Sequence, residues 1–272
     1  MDTIQVNSTE RTKGISGSWL KIIAVISMLV DHTAATILER LLNEMPAWGP
    51  VTAGNWDNWY TVYVILRGVG RMAFPIYCFL LVEGFTYTKS KAKYALRLLV
   101  FALISEVPFD MALQQSFWDM SYNNVFFTLL IGLLVIAAVD WLQNKASSSQ
   151  GAEIKSALIT TGKPFLNAAV IVLGCWLAQY VLKCDYGIGG ILAIVILYVF
   201  REHRMTGFTL AVITLGIFAG VIELAALLML IPLHFYNGTR GRQMKYFFYA
   251  FYPVHLLILA LICYALGLGI GI

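Results

Sequence analysis

The chain has 272 residues, 59% of them hydrophobic and only 12% charged, with a mean hydropathy of +0.74. A soluble domain carries about twice that charged fraction, so the composition excludes an ordinary soluble protein and indicates a polytopic helical membrane protein. The net charge of +4 comes from Lys and Arg confined to particular segments, a topology signal and not a basic stripe for nucleic acid.

Residues 1–18 are polar and lack a small-residue cleavage site, so the first apolar segment is expected to be a retained anchor behind a cytoplasmic tail. About nine spans (8–10) are predicted, near 19–42, 64–88, 93–113, 123–142, 164–183, 186–200, 206–221, 222–236 and 246–270. The longer ones suit a hydrocarbon core of about 30 Å. Residues 1–272 therefore read as a single all-α integral membrane domain, with 143–163 a Ser- and Gly-containing cytoplasmic linker.

The first span contains "ISMLVDHTAATIL", which places Asp31 and His32 near the membrane midplane. Adjacent helical residues point about 100° apart, so each needs its own partner from another helix. A charged residue at that depth costs roughly 2.5–3.5 kcal/mol. The following loop puts Trp56, Trp59, Tyr60 and Tyr63 on one helical face, either an interfacial belt or a surface over an outward-facing site. The second span carries Arg67 and Arg71 four residues apart, and Glu83 deeper, within snorkelling reach of Lys89. Glu106 and Asp110 share a face of the third span, and Arg71 is expected to pair with Asp31 or Glu106. Asn123 and Asn124 open the fourth span, and Gln179 lies in the fifth. Glu223 suits a turn between two short helices, a re-entrant hairpin being the alternative. His255 lies about a third of the way into the last span. Pro75, Pro108 and Pro253 interrupt spans beside these polar groups, which points to a hydrated cavity.

Arg11, Lys13 and Lys21 precede span one as topology markers, and basic residues cluster at Lys89–Arg97, Lys145–Lys163, Arg201–Arg204 and Arg240–Lys245, whereas 43–63 and 114–122 contain no Lys or Arg. The positive-inside rule then puts the N-terminus in the cytoplasm and the C-terminus outside. Cys78, Cys175, Cys184 and Cys263 are scattered without disulfide or metal spacing, so no metal is expected. "GVGRMA" fits a dinucleotide pattern but follows no strand. The N-x-S/T matches at Asn7 and Asn237 fall on the predicted cytoplasmic side.

Several segments, in order, resemble the TraX family: "LKIIAVISMLVDHTAATI", "GRMAFPIYCFLLVEGFTYTKSKAKYALRLLVFALISEVPFDMAL", "NNVFFTLLIGLL", "DYGIGGIL" and "FFYAFYPVHLLIL". That family is linked to N-terminal acetylation of conjugative pilin and is distantly similar to transmembrane acyltransferases of the acyltransferase-3 group. The resemblance implies acetyl transfer from cytosolic acetyl-CoA to an amine or hydroxyl acceptor, in or across a bacterial inner membrane. It implies that His32 is the general base or transient acyl acceptor, with Asp31 orienting or charging the site. Arg71, Glu106 and His255 are the further candidate site residues. Lys89, Lys93, Arg97, Arg240 and Arg242 are candidates for the donor's phosphates, their simpler role being topology. The partners expected are membrane lipids and an acceptor that the sequence does not identify. A proton-coupled transporter using Asp31, His32, Arg71 and Glu106, and a non-catalytic scaffold, are the competing readings.

Overall fold

The computed structural model describes residues 14–147, 153–242 and 245–269. Arg11, Lys13, the Asn7 sequon and the middle of the expected linker lie outside the described residues. Each predicted span is mainly helical over its described residues. α1 (Gly17–Thr33) passes through a π-helical turn, Ala34–Leu38, into α2 (Glu39–Glu44). α3 (Trp56–Gly70) and α4 (Ala73–Tyr87) form one continuous rod, because Arg71 and Met72 still donate backbone bonds to Arg67 and Val69. α5 (Lys91–Phe109) ends in a second π turn, Asp110–Gln114. α6 (Val125–Ser147), α7 (Glu153–Trp176) with a third π turn, α8 (Gly187–Val199) and α9 (Arg204–Ala219) follow. A 3-10 segment, Val221–Met229, leads into α10 (Leu230–His234), and α11 is Lys245–Ala265.

Five of these rods are long and apolar enough to cross a membrane: Gly17–Glu44, Trp56–Tyr87, Val125–Asn144, Pro164–Val181 and Tyr246–Ala265. α8, α9 and the Val221–His234 segment are apolar but shorter. Among the described residues, extended pairing is limited to two isolated bridges, one at each end of the bundle: Ile15 with Tyr236, and Asn123 with Cys184.

Local chemistry explains several boundaries. Ser90 Oγ accepts from Lys93 N at 3.3 Å to start α5, and Asn124 Oδ1 accepts from Phe126 N at 3.0 Å to start α6. Gly220 ends α9 at φ 117°, a conformation that side chains with a Cβ rarely adopt. The turn expected at Glu223 therefore sits three residues earlier, and Glu223 is free to point inward. The expected 143–163 loop is largely helix, since α6 runs to Ser147 and α7 starts at Glu153. Residues such as Gln143, Lys145, Ala146, Lys155 and Ala157 favour helix, so the polar composition alone does not break it.

α1 packs against α3, α4 and α11; α11 packs on α5, α5 on α6, and α8 on both α6 and α9. α7 is peripheral, with only 17% of its span buried and Phe165 at 78% exposure, as a helix that faces lipid requires. Arg40, 3% exposed, donates to the carbonyls of Leu268 (3.0 Å) and Ala112 (2.6 Å). It ties α2 to the chain following α11 and to the π turn after α5, with backbone carbonyls instead of a carboxylate. The aromatic face predicted from the loop is helical. Trp56 donates to the Leu42 carbonyl at 3.1 Å and Tyr63 to Glu39 at 2.8 Å, so this face grips α2 while Tyr60 remains exposed.

Candidate membrane-embedded site

At about 100° per residue, Gly17, Lys21, Met28 and His32 fall within a narrow stripe of α1. All four line one cavity of about 440 Å³. The facing wall is the stripe Gly70, Phe74, Tyr77, Leu81, Gly84 and Thr88, with the three- and four-residue spacing of a helix face. The volume lies within the range of small-molecule sites, about 300–1,000 Å³. Lys21 and His32 are eleven positions apart, about 16 Å of helix rise, so the cavity runs lengthwise from the basic end of the bundle.

At its inner end Asp31 and His32 take different partners. Asp31, 5% exposed, receives Arg67 Nη1 on Oδ1 at 2.7 Å and Arg71 Nη2 on Oδ2 at 2.6 Å. Arg71 also donates to Glu223 Oε1 at 3.1 Å and to the Tyr186 hydroxyl at 3.2 Å. Two guanidiniums and two carboxylates thus form a network whose formal charges cancel. That balance allows so much charge to be buried, because removing one member strands another. Gly70 is what lets Asp31 approach: a Cβ there would meet the Asp31 side chain at 2.2 Å. Ser27 fastens the same helix crossing by donating to the Val69 carbonyl at 2.6 Å.

His32 pairs with His255 instead. His32 Nδ1 lies 2.6 Å from His255 Nε2, and the rings are nearly parallel at 8°. Tyr252 meets His32 edge-on at 5.8 Å, and Phe251 stacks on His255 at 4.7 Å. Thr36 donates to the His32 carbonyl at 2.6 Å, just where the π turn begins.

The other end of the cavity is cationic. Lys21, Arg97, Arg240 and Arg242 line it, and none of the four forms an ion pair among the described residues. Lys21 Nζ sits over the Phe248 ring at 5.5 Å, and Arg97 over Tyr94 at 5.5 Å. Glu83 faces the cavity rather than snorkelling toward Lys89. It accepts from the Tyr236 hydroxyl at 3.1 Å.

The residues expected at the site divide. Asp31, His32, Arg71, Arg97, Arg240 and Arg242 line the cavity, and His255 stands behind His32. Glu106 does not pair with Arg71. It is bonded to the Asn124 side chain, away from the cavity wall, because it faces α6. Lys89 and Lys93 are exposed and do not line the cavity. Glu223, read as a turn residue, and Lys21, read only as a topology marker, belong to the site. The stripe that Lys21 shares with His32 was the available signal for it. Glu223 had none, since its contact with Arg71 spans 152 residues.

A family model described as TraX protein matches residues 16–263. Over 283 aligned residues the chain is 31% identical to a Dichelobacter nodosus protein named "Probable fimbrial assembly protein FimC, serogroup H1", covering 94% of this chain and 97% of that one. No solved structure matches the chain. With the family model spanning nearly the whole helical bundle and a relative alike over nearly its full length, this chain belongs to the TraX family.

Proposed function

We propose that this protein is a membrane-embedded acetyltransferase that carries acetyl from acetyl-CoA to an amine or hydroxyl acceptor. The observation that carries the reading is one continuous cavity joining a cationic mouth to His32. Phosphates of the donor cannot enter hydrocarbon, so they remain at the mouth, within reach of Lys21, Arg97, Arg240 and Arg242. The pantetheine arm follows the cavity inward and brings the thioester to His32. Two buried polar atoms along the cavity, Tyr77 Oη and Arg97 Nε, have no hydrogen-bond partner among the described residues. Unpaired buried groups are costly, and an arm containing amides offers them partners. The residues present thus fit the donor.

His32 takes the proton from the acceptor N–H or O–H as the acceptor attacks the thioester carbonyl. The new C–N or C–O bond forms, the C–S bond breaks, and the departing thiolate takes up the proton from His32. The Asp31–Arg67–Arg71–Glu223 network fixes α1 against α3 and keeps His32 in place. The acceptor approaches from the end of the cavity lined by Asp185 and Tyr186. We assign the basic end and the N-terminus to the cytoplasm, about nine crossings to the chain, and a bacterial inner membrane as its location. The name of the Dichelobacter relative makes a fimbrial subunit a reasonable first acceptor to assay.

A proton-coupled transporter is less well supported. Asp31 is clamped between two guanidiniums, and Glu106 lies off the cavity, so the proposed carriers do not form a chain.

The test is acetyl-CoA binding followed by transfer in reconstituted vesicles. Wild type should be thermally stabilised by acetyl-CoA and not by ATP, and should label a supplied amine or hydroxyl acceptor. His32→Ala should retain binding and lose transfer by about 100-fold or more. Absence of stabilisation at millimolar acetyl-CoA would refute the donor, and undiminished transfer by His32→Ala would refute the base.

A further inference from the structure

The two histidines form a chain of hydrogen bonds with only one consistent direction. His255 Nδ1 lies 2.7 Å from the carbonyl oxygen of Phe251, one turn earlier in α11. A carbonyl oxygen only accepts, so His255 Nδ1 carries the proton. A neutral imidazole has one N–H, which makes His255 Nε2 an acceptor. His32 Nδ1, 2.6 Å from that nitrogen, must therefore donate. His32 is left with its lone pair on Nε2, which has no hydrogen-bond partner among the described residues. Neutrality of both rings follows from their setting. His255 is 4% exposed, and no carboxylate among the described residues pairs with either ring, because Asp31 is turned to Arg67 and Arg71.

We infer that His255 is the positioning residue of this site: anchored on the Phe251 carbonyl, it holds His32 as the Nδ1–H tautomer and makes Nε2 the basic nitrogen. The inference rests on His32 being the general base and specifies which atom does the work. The acceptor proton goes to Nε2, and from there to the departing thiolate. While His32 is charged, its Nδ1–H stays donated to His255, so a neutral acceptor does the orienting that a carboxylate performs in many hydrolytic sites. Phe251 stacked on His255 and Tyr252 edge-on to both rings keep the pair coplanar.

The test is nitrogen NMR of histidine-labelled protein in lipid nanodiscs. The chain has only four histidines, so single substitutions assign every signal. Wild type should show His32 protonated on Nδ1 and unprotonated on Nε2. His255→Gln, whose side-chain carbonyl reaches about as far as Nε2 and also accepts, should keep that tautomer and most of kcat. His255→Leu should release His32 to a tautomer mixture and lower kcat about 10- to 100-fold, with the acetyl-CoA KM within about twofold of wild type. Finding His32 protonated on Nε2 in wild type would overturn the inference whether or not any transfer is detected. So would a His255→Gln variant as impaired as His255→Leu, or a tautomer that ignores both changes. A wild type with the inferred tautomer that binds no acetyl-CoA would instead defeat the acetyltransferase reading and leave the order of hydrogen bonds standing.

Discussion

Among the described residues the bundle buries two pairs of carboxylates, and they are treated oppositely. Asp31 and Glu223, 5% and 1% exposed, come from distant segments and are joined by Arg67 and Arg71 at the end of the cavity. Glu106 and Asp110, 4% and 0% exposed, sit one turn apart on α5 and its π turn and form no ion pair among the described residues. Glu106 is held by the Asn124 amide, while Asp110 Oδ2 accepts from the Asp119 backbone at 2.8 Å. Among the described residues one oxygen of each, Oε1 and Oδ1, has no hydrogen-bond partner, and the same holds for Glu223 Oε2 in the first pair. Equal burial thus supports two designs. The first pair holds compensated charge beside a cavity, and the second is secured by neutral donors inside helix packing.

The comparison breaks most readily at Asp31. Asp31→Asn leaves Arg67 without its carboxylate and Arg71 with only Glu223, and it should cost about 3–5 kcal/mol in denaturant unfolding in micelles. A loss under about 1 kcal/mol would mean that the network does not hold α1 against α3. Next comes the close approach that admits Asp31. Gly70→Ala puts a methyl group into the Asp31 side chain and should cost about 1–3 kcal/mol by the same assay. An unchanged midpoint would show that α1 and α3 part freely. On the other side, Glu106→Gln keeps an acceptor for Asn124 and should change stability by no more than about 1 kcal/mol. A penalty equal to that of Asp31→Asn would erase the distinction between the pairs.

The smallest effect is expected at the mouth. Arg242→Ala removes one of four cations and should raise the acetyl-CoA KM by about fivefold, roughly 1 kcal/mol, with kcat unchanged. The increase should shrink at high salt, because exposed charges are screened. A fall in kcat with KM unchanged would place Arg242 in a different role.

How far the site was legible in the residues follows from what each partner requires. Asp31 and His32 drew attention because charge inside an apolar run is expensive, and helical geometry already ruled out their pairing with each other. Arg71 with Asp31 was one of two options, and spacing along the chain could not separate it from Glu106. Glu106 faces α6 because of helix rotation, which packing decides. Lys89 and Lys93 looked equivalent to Arg97, yet only Arg97 turns into the cavity. Lys21 shares a stripe with His32, but a basic residue at the start of a span already has a sufficient topological explanation, so the stripe alone does not single it out.

Composition and periodicity determined the helical membrane class, the places of the apolar segments and the polar residues that had to be accommodated within them. The ordered segments that resemble TraX proteins were also legible without coordinates. These are local properties, set by hydropathy and by the 3.6-residue repeat. Tertiary structure decided which histidine meets which, 223 residues apart, that Glu223 closes the arginine network, and that four cations surround the mouth of one cavity. Those outcomes depend on the rotation and register of one helix against another, which side-chain packing across the whole bundle sets and no single segment encodes.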